Sequence, residues 1–235
     1  MTLPLTRLAQ HATVRLIPTK YHSDPVLKPL VDSDEERAAL EALEGLTSGR
    51  LRAQQRGLQD LDPRELAFLS RARQLQTYGA TYINAAFSYP RKPPGNRFNS
   101  ASRGAWYCAF EDATAIEEVG YHKTRELSFI GVFEDETVYQ SYLADFIGEF
   151  PDLRAAEPPP ADVLDADTEI GYPAGQRLAE ELRDSGQTGL IYPSVRAPGG
   201  TCFAAFVPQI VQNVRTGAKW LFRWSGSPRF TVTGR

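Results

Sequence analysis

Residues 189–208 read GLIYPSVRAPGGTCFAAFVP. Two apolar runs, each too short for a stable helix, flank a stretch holding two prolines and a Gly-Gly pair. Such a stretch cannot continue either run as regular structure, so the chain must fold back on itself as an antiparallel hairpin. The first strand ends by presenting a hydroxyl, Ser194, and a guanidinium, Arg196. Two readings are open at this point. The hairpin has a polar turn with no further meaning, or its end forms the rim of a pocket for an anion.

Hairpin pairing sets the class, because the rest of the chain offers strand pairs rather than a regular βαβ alternation. ATVRLIPTKY (12–21) reads as a strand broken at Pro18. ATYINAAFSY (80–89) is assigned to a strand on aromatic and β-tolerant content, RFNS (97–100) and GAWYCAF (104–110) to strands around a short SRG link, and SFIGVFE (128–134) to a strand by its alternation. KWLFRWSG and RFTVT supply the last strands. DATAIEEVGYHK (112–123), with Asp112 as N-cap, and GYPAGQRLAEELRDSG (171–186), closed by Gly186, read as helices. Between 33 and 76 capping-box spacing at Ser33–Glu36, apolar residues at helical intervals, and Asp62-Pro63 as a second start predict a charged helical insertion. PRKPPGN (90–96) and EPPPADVLDAD (157–167) are loops. An α+β fold is expected, as one domain over 1–235 with 33–76 inserted in it.

Much familiar chemistry is missing. There is no GxGxxG after a strand, no GxxxxGK[ST], no HExxH and no GxSxG. Cys108 and Cys202 sit in strand-like runs and read as small buried hydrophobes. His11, His22 and His122 have no metal-ligand spacing, so no metal is expected. A net charge of −3 argues against a surface for nucleic acid. No apolar run reaches the ~18 residues of a membrane span, and MTLPLTRLAQHATVRL lacks a signal-peptide core. Cytoplasm is therefore the expected location.

The informative block is NRFNSASRGAWYCAFEDATAIEEVGYHK, residues 96–123. Arg97 lies on one predicted strand, Tyr107 on the next and Glu118 on the following helix. If strands pair and the helix packs back, cation, ring and carboxylate face one cleft, with Ser194 and Arg196 closing it. Taken singly, each has an ordinary account. Arg97 can lie along a strand edge, Tyr107 can be a core aromatic, Glu118 can share a solvated face with Glu117, and Ser194 can be a turn residue.

Taken in order, RFNS, WY, EEV and GLIYPSVR followed by GG resemble the RES domain, the toxin half of RES–Xre toxin–antitoxin pairs. The resemblance runs from about 80 to 215, with ATVRLIPTKY as an N-terminal piece. It implies an ADP-ribosyltransferase-like split sheet around an NAD cleft, with helices outside. It also implies consumption of NAD⁺, with inorganic phosphate as acceptor or with transfer of ADP-ribose to protein. A catalytically silent partner-binding module is the alternative from another class. Arg97, Tyr107, Glu118 and Ser194 match the family's site residues. Glu118 is favoured over Glu117 by its eleven-residue step from Tyr107. Arg15 matches a further arginine, and Asn99 and Arg196 join Arg15, Arg97, Tyr107 and Ser194 as candidate NAD contacts. Glu118 would stabilise the oxocarbenium-like ribose, Arg97 and Arg15 would grip the diphosphate, and Tyr107 would face the nicotinamide. The implied partner is an Xre-type antitoxin, and self-association is possible through 33–76. Two departures stand out: the length of 33–76, and Gly95-Asn96-Arg97 where the family often has Gly-Gly-Arg.

Overall fold

The computed structural model describes residues 3–21, 80–88 and 95–235. The insertion expected at 33–76 lies outside the described residues. Among the described residues seven strands form one antiparallel sheet in the order β4-β5-β2-β1-β3-β6-β7. In chain order these are β1 (Leu5–Pro18), β2 (Trp106–Ala109), β3 (Glu134–Pro151), β4 (Gly189–Pro193), β5 (Thr201–Ala205), β6 (Gln212–Ser225) and β7 (Phe230–Gly234). The helices are α1 (Ala80–Ser88), α2 (Asp112–Ile130) and α3 (Thr168–Asp184). Helix and strand are mixed without βαβ repetition, so the α+β class holds. The 189–208 stretch is the β4–β5 hairpin, paired from Gly189↔Ala205 to Pro193↔Thr201.

Alternation along the strands divides the core into two layers. On one face Tyr107, Ala109, Cys202, Ala204, Leu190 and Tyr192 pack with Ala115 of α2 and Leu178 of α3. On the other, Trp106, Cys108, Phe203, Ala205 and Ile191 pack with Ile83, Ala86 and Phe87 of α1. The sheet also has a seam. β1 runs beside β3 over nearly its whole length, from Leu5↔Pro151 to Pro18↔Tyr139. With β2 it shares a single register pair, Val14↔Ala109. Across this seam Arg15 Nη1 donates to the Tyr107 carbonyl at 3.0 Å, a side chain standing in for missing ladder.

Four sequence assignments are corrected. Residues 80–88 are helical, not a strand: Ile83, Ala86 and Phe87 recur at i, i+3, i+4 and are all buried. RFNS is a tight turn, not a strand, closed by Asn96 N–H to the Asn99 carbonyl at 2.9 Å and the reciprocal bond at 3.4 Å. It begins at Gly95, whose φ of +90° favours glycine. The 128–134 run is not a strand, because α2 continues to Ile130 and ends at Gly131, φ +75°, whose N–H bonds Leu127 O at 2.9 Å. The cap position of α2 is Glu111, with Asp112 inside the first turn. The longest strand, β3, was not foreseen beyond Glu134.

β3 carries a three-strand rivet. Asp145 Oδ1 accepts the Ala12 backbone N–H at 2.9 Å and Arg215 Nη1 at 3.0 Å, while Oδ2 accepts Asn213 Nδ2 at 2.8 Å. Ala12 and Asn213 have φ of 58° and 52°, and the register shifts beside both. One carboxylate thus holds two bulges whose backbone L-residues seldom adopt.

Candidate active site

Arg97 occupies the turn after Gly95 and is only 7% exposed. Its Nη1 donates to the carbonyls of Val163 (2.7 Å) and Asp165 (2.9 Å) in the loop before α3. The side chain lies along α3 because Gly171 and Gly175 leave it room. A Cβ at Gly171 would collide with Nη1 and one at Gly175 with the Arg97 carbonyl. Gly175→Ala is therefore expected to destabilise by about 1–3 kcal/mol through overpacking. In an unconstrained helix interior the same change would stabilise by about 1 kcal/mol. Denaturant unfolding reads the sign directly.

Tyr107 on β2 turns its hydroxyl into the same turn. It donates to Asn99 Oδ1 at 2.7 Å and accepts the Phe98 N–H at 2.9 Å. Asn99 is 1% exposed, and its Nδ2 donates to the Ser100 (2.9 Å) and Arg103 (2.6 Å) carbonyls. Asn99 thus stands behind Tyr107 and braces it, away from the cavity.

Glu118 and Ser194 meet. Ser194 Oγ accepts the backbone N–H groups of Arg196 (3.1 Å) and Ala197 (2.8 Å). With both acceptor positions filled, its proton points to Glu118 Oε1 at 2.6 Å. Cys202 Sγ lies 3.9 Å from the same oxygen. Burial pushes the Cys202 thiol and the Tyr192 hydroxyl well above their ordinary ranges, and the Glu118 charge adds to both shifts. Burial likewise raises Cys108, to about 12. Both cysteines are free, buried and protonated at neutral pH. Glu118 Oε2 accepts no hydrogen bond among the described residues. Glu117 is exposed.

Beside them, on the α2–α3 face of the sheet and next to the seam, lies a cavity of about 220 Å³, with Ser194 and Asn99 outside its lining. Arg15, Arg97, Tyr107 and Glu118 line it. So do Tyr172, Tyr192, Cys202 and His122, none of which was singled out from the sequence as a site residue. A signal existed for His122 alone: it sits one helical turn from Glu118. Arg196 does not line the cavity. Its Cζ lies 3.6 Å from the centroid of the Tyr121 ring, and Nη2 donates to the Ala166 carbonyl at 2.8 Å. Among the described residues no helix is long and apolar enough to cross a membrane, and no group of three or more His, Cys, Asp or Glu is placed to hold a metal ion.

Fold and site together define an α+β domain whose cleft joins a held carboxylate, a buried guanidinium and a ring of tyrosines. A family model described as the RES domain matches residues 68–225, more than half of the chain, and the chain belongs to this family. The family is associated with NAD-utilising enzymes and with Xre partners in toxin–antitoxin systems. No curated protein matches the chain. β1, which carries Arg15, precedes the matched span yet lies at the middle of the sheet.

Proposed function

We propose that the protein cleaves the bond between nicotinamide and ribose in NAD⁺, with inorganic phosphate as acceptor, in a cleft of ADP-ribosyltransferase type. The observation that carries this reading is the state of Glu118. One oxygen is fixed by Ser194, the other is left open, and Arg97 and Tyr107 line the same cavity. Positive charge develops on the ribose as nicotinamide departs with the bonding electrons. A carboxylate that needs no reorganisation stabilises that charge as it forms. Ser194 is a positioning residue in this scheme, because its oxygen is already saturated by two N–H donors.

Arg97 keeps Nε and Nη2 without a protein acceptor among the described residues, and directional donors of this kind suit a diphosphate. At about 220 Å³ the cavity falls below the ~300 Å³ at which pockets for drug-sized ligands begin. It accordingly receives the nicotinamide–ribose end, and the rest of the dinucleotide extends over the mouth. An Xre-type antitoxin that covers this mouth is the proposed partner.

The test is nicotinamide release by the purified chain, with and without inorganic phosphate. Phosphate-stimulated release, with ADP-ribose 1-phosphate as product, is the expected result. Label transferred from NAD⁺ onto a protein would replace phosphorolysis with protein ADP-ribosylation. A folded chain with no turnover of either kind would sink the enzymatic reading.

A further inference from the structure

The rim of the cleft carries cations for which the chemistry inside it has no use. Along α2, positions 118, 122 and 125 fall at i, i+4 and i+7, so Glu118, His122 and Arg125 form one stripe leading outward from the carboxylate. Glu118 and His122 both line the cavity. Tyr172 of α3 also lines it and is buried, with Arg97 Cζ 5.6 Å from its ring centroid. Arg196 arrives from the end of β4 and stacks on Tyr121, next to His122. Burial raises the Tyr172 hydroxyl above its ordinary range, while the charges of Arg97, Arg125 and Arg196 pull it the other way.

Neither Arg125 nor Arg196 has a carboxylate partner among the described residues. Arg125 lies over the Phe129 ring at 5.5 Å, and Arg196 bonds only a carbonyl through its side chain. None of the acids on the adjoining segments pairs with either arginine. Glu126 faces Lys123 at 3.5 Å, Asp165 accepts the Asp167 N–H at 2.7 Å, and Asp167 caps α3 through Glu169 N–H at 2.9 Å. Cations with no directly paired carboxylate raise the local potential and favour an anion. Guanidinium forks suit the oxygens of a phosphoryl group.

We infer that Arg125 and Arg196, beside His122 and Tyr172, form a second anion subsite at the cleft mouth that holds a phosphoryl oxyanion next to Glu118. The inference rests on the dinucleotide reading above: Arg97 serves the diphosphate, and the rim serves the acceptor. A doubly charged oxyanion is repelled by Glu118, and two rim guanidiniums offset that repulsion. In the step itself a phosphate oxygen forms the new bond to the ribose C1 as the C–N bond breaks. Nicotinamide leaves neutral with the electron pair, and the proton of hydrogenphosphate passes to water.

The test is calorimetric titration of the full chain with inorganic phosphate at constant ionic strength, comparing wild type with Arg125→Gln/Arg196→Gln. Binding at least about tenfold weaker in the double variant, with an unchanged circular dichroism spectrum, is expected from loss of two charge-assisted contacts. Should the double variant unfold, Arg125→Gln alone leaves the Arg196–Ala166 bond in place and carries the same comparison. Equal phosphate affinity in variant and wild type, or no binding by wild type, overturns the subsite. Titration with NAD⁺ separates the two sources of phosphoryl group. Lost dinucleotide affinity with phosphate binding intact would assign the rim to the dinucleotide's own diphosphate and overturn the acceptor subsite. Phosphate binding that depends on the rim, in a chain that never turns over NAD⁺, would keep the subsite and discard the dinucleotide reading.

Discussion

Glu118→Gln is expected to slow nicotinamide release by about 10²–10³-fold, the usual cost of one well-placed electrostatic group. The melting temperature should stay within about 2 °C, since a part-exposed isosteric change costs roughly 0.5 kcal/mol or less. The amide oxygen can still accept the Ser194 proton, so the position of the side chain survives. What disappears is the negative charge opposite the ribose, and an amide N–H₂ takes the place of the open Oε2. Glu117→Gln is the matched control. Glu117 lies on the exposed side of α2 and its substitution should leave the rate unchanged. Full activity in Glu118→Gln would remove the carboxylate from the reaction, and with it the reading of Ser194 as its positioning residue.

The largest loss of stability is expected at Asp145→Ala, about 2–3 kcal/mol, from a carboxylate that accepts bonds from two neighbouring strands. In a chain of this size that lowers the melting temperature by roughly 5–10 °C. Burial by itself would raise this carboxyl. The donors from Ala12 N–H, Asn213, Arg215 and His11 outweigh it and hold the group well below the usual aspartate range. The sign follows from that depression. The stabilisation is fully present above the unfolded-state value of ~3.9, and is lost as pH falls below it toward the folded-state value. Wild type should therefore lose stability more steeply than Asp145→Ala below about pH 4, so that their melting curves approach one another in acid. Parallel curves across that range would show that Asp145 does not carry the linkage.

The parts of the site that the sequence made legible are those whose geometry is local. The β4–β5 hairpin was readable because two prolines and Gly-Gly leave a short apolar pair no other course. Glu118 was readable as a helix residue because α2 has clear helical periodicity over its first turns. Arg97 was misplaced onto a strand, since nothing within RFNS reports that Asn96 and Asn99 bond each other across a turn. Its seat depends on Gly171 and Gly175, more than seventy residues away, a packing relation with no local signature. Residues 80–88 misled because Ile83 and Phe87 favour strands by type while their spacing favours a helix, and burial against Trp106 and Tyr142 decides for the helix. β3 escaped notice because its middle is buried on both faces, which erases the alternation that marks a half-buried strand. Of the rim residues Arg196 was readable, because it ends the hairpin's first strand, whereas Arg125 and Tyr172 come from two separate helices and share no motif with it.

The Val14–Ala109 seam ties the two halves of the sheet by little backbone, and the cavity opens beside it. A ligand lodged there touches β1 on one side and β2 on the other and works as a clamp. Ligand at a hundredfold excess over its dissociation constant would add about 2.7 kcal/mol to the folded state. When that ligand is also the substrate, turnover removes the clamp: an enzyme that exhausts the dinucleotide around it also withdraws part of its own support, and its persistence becomes tied to the pool it consumes.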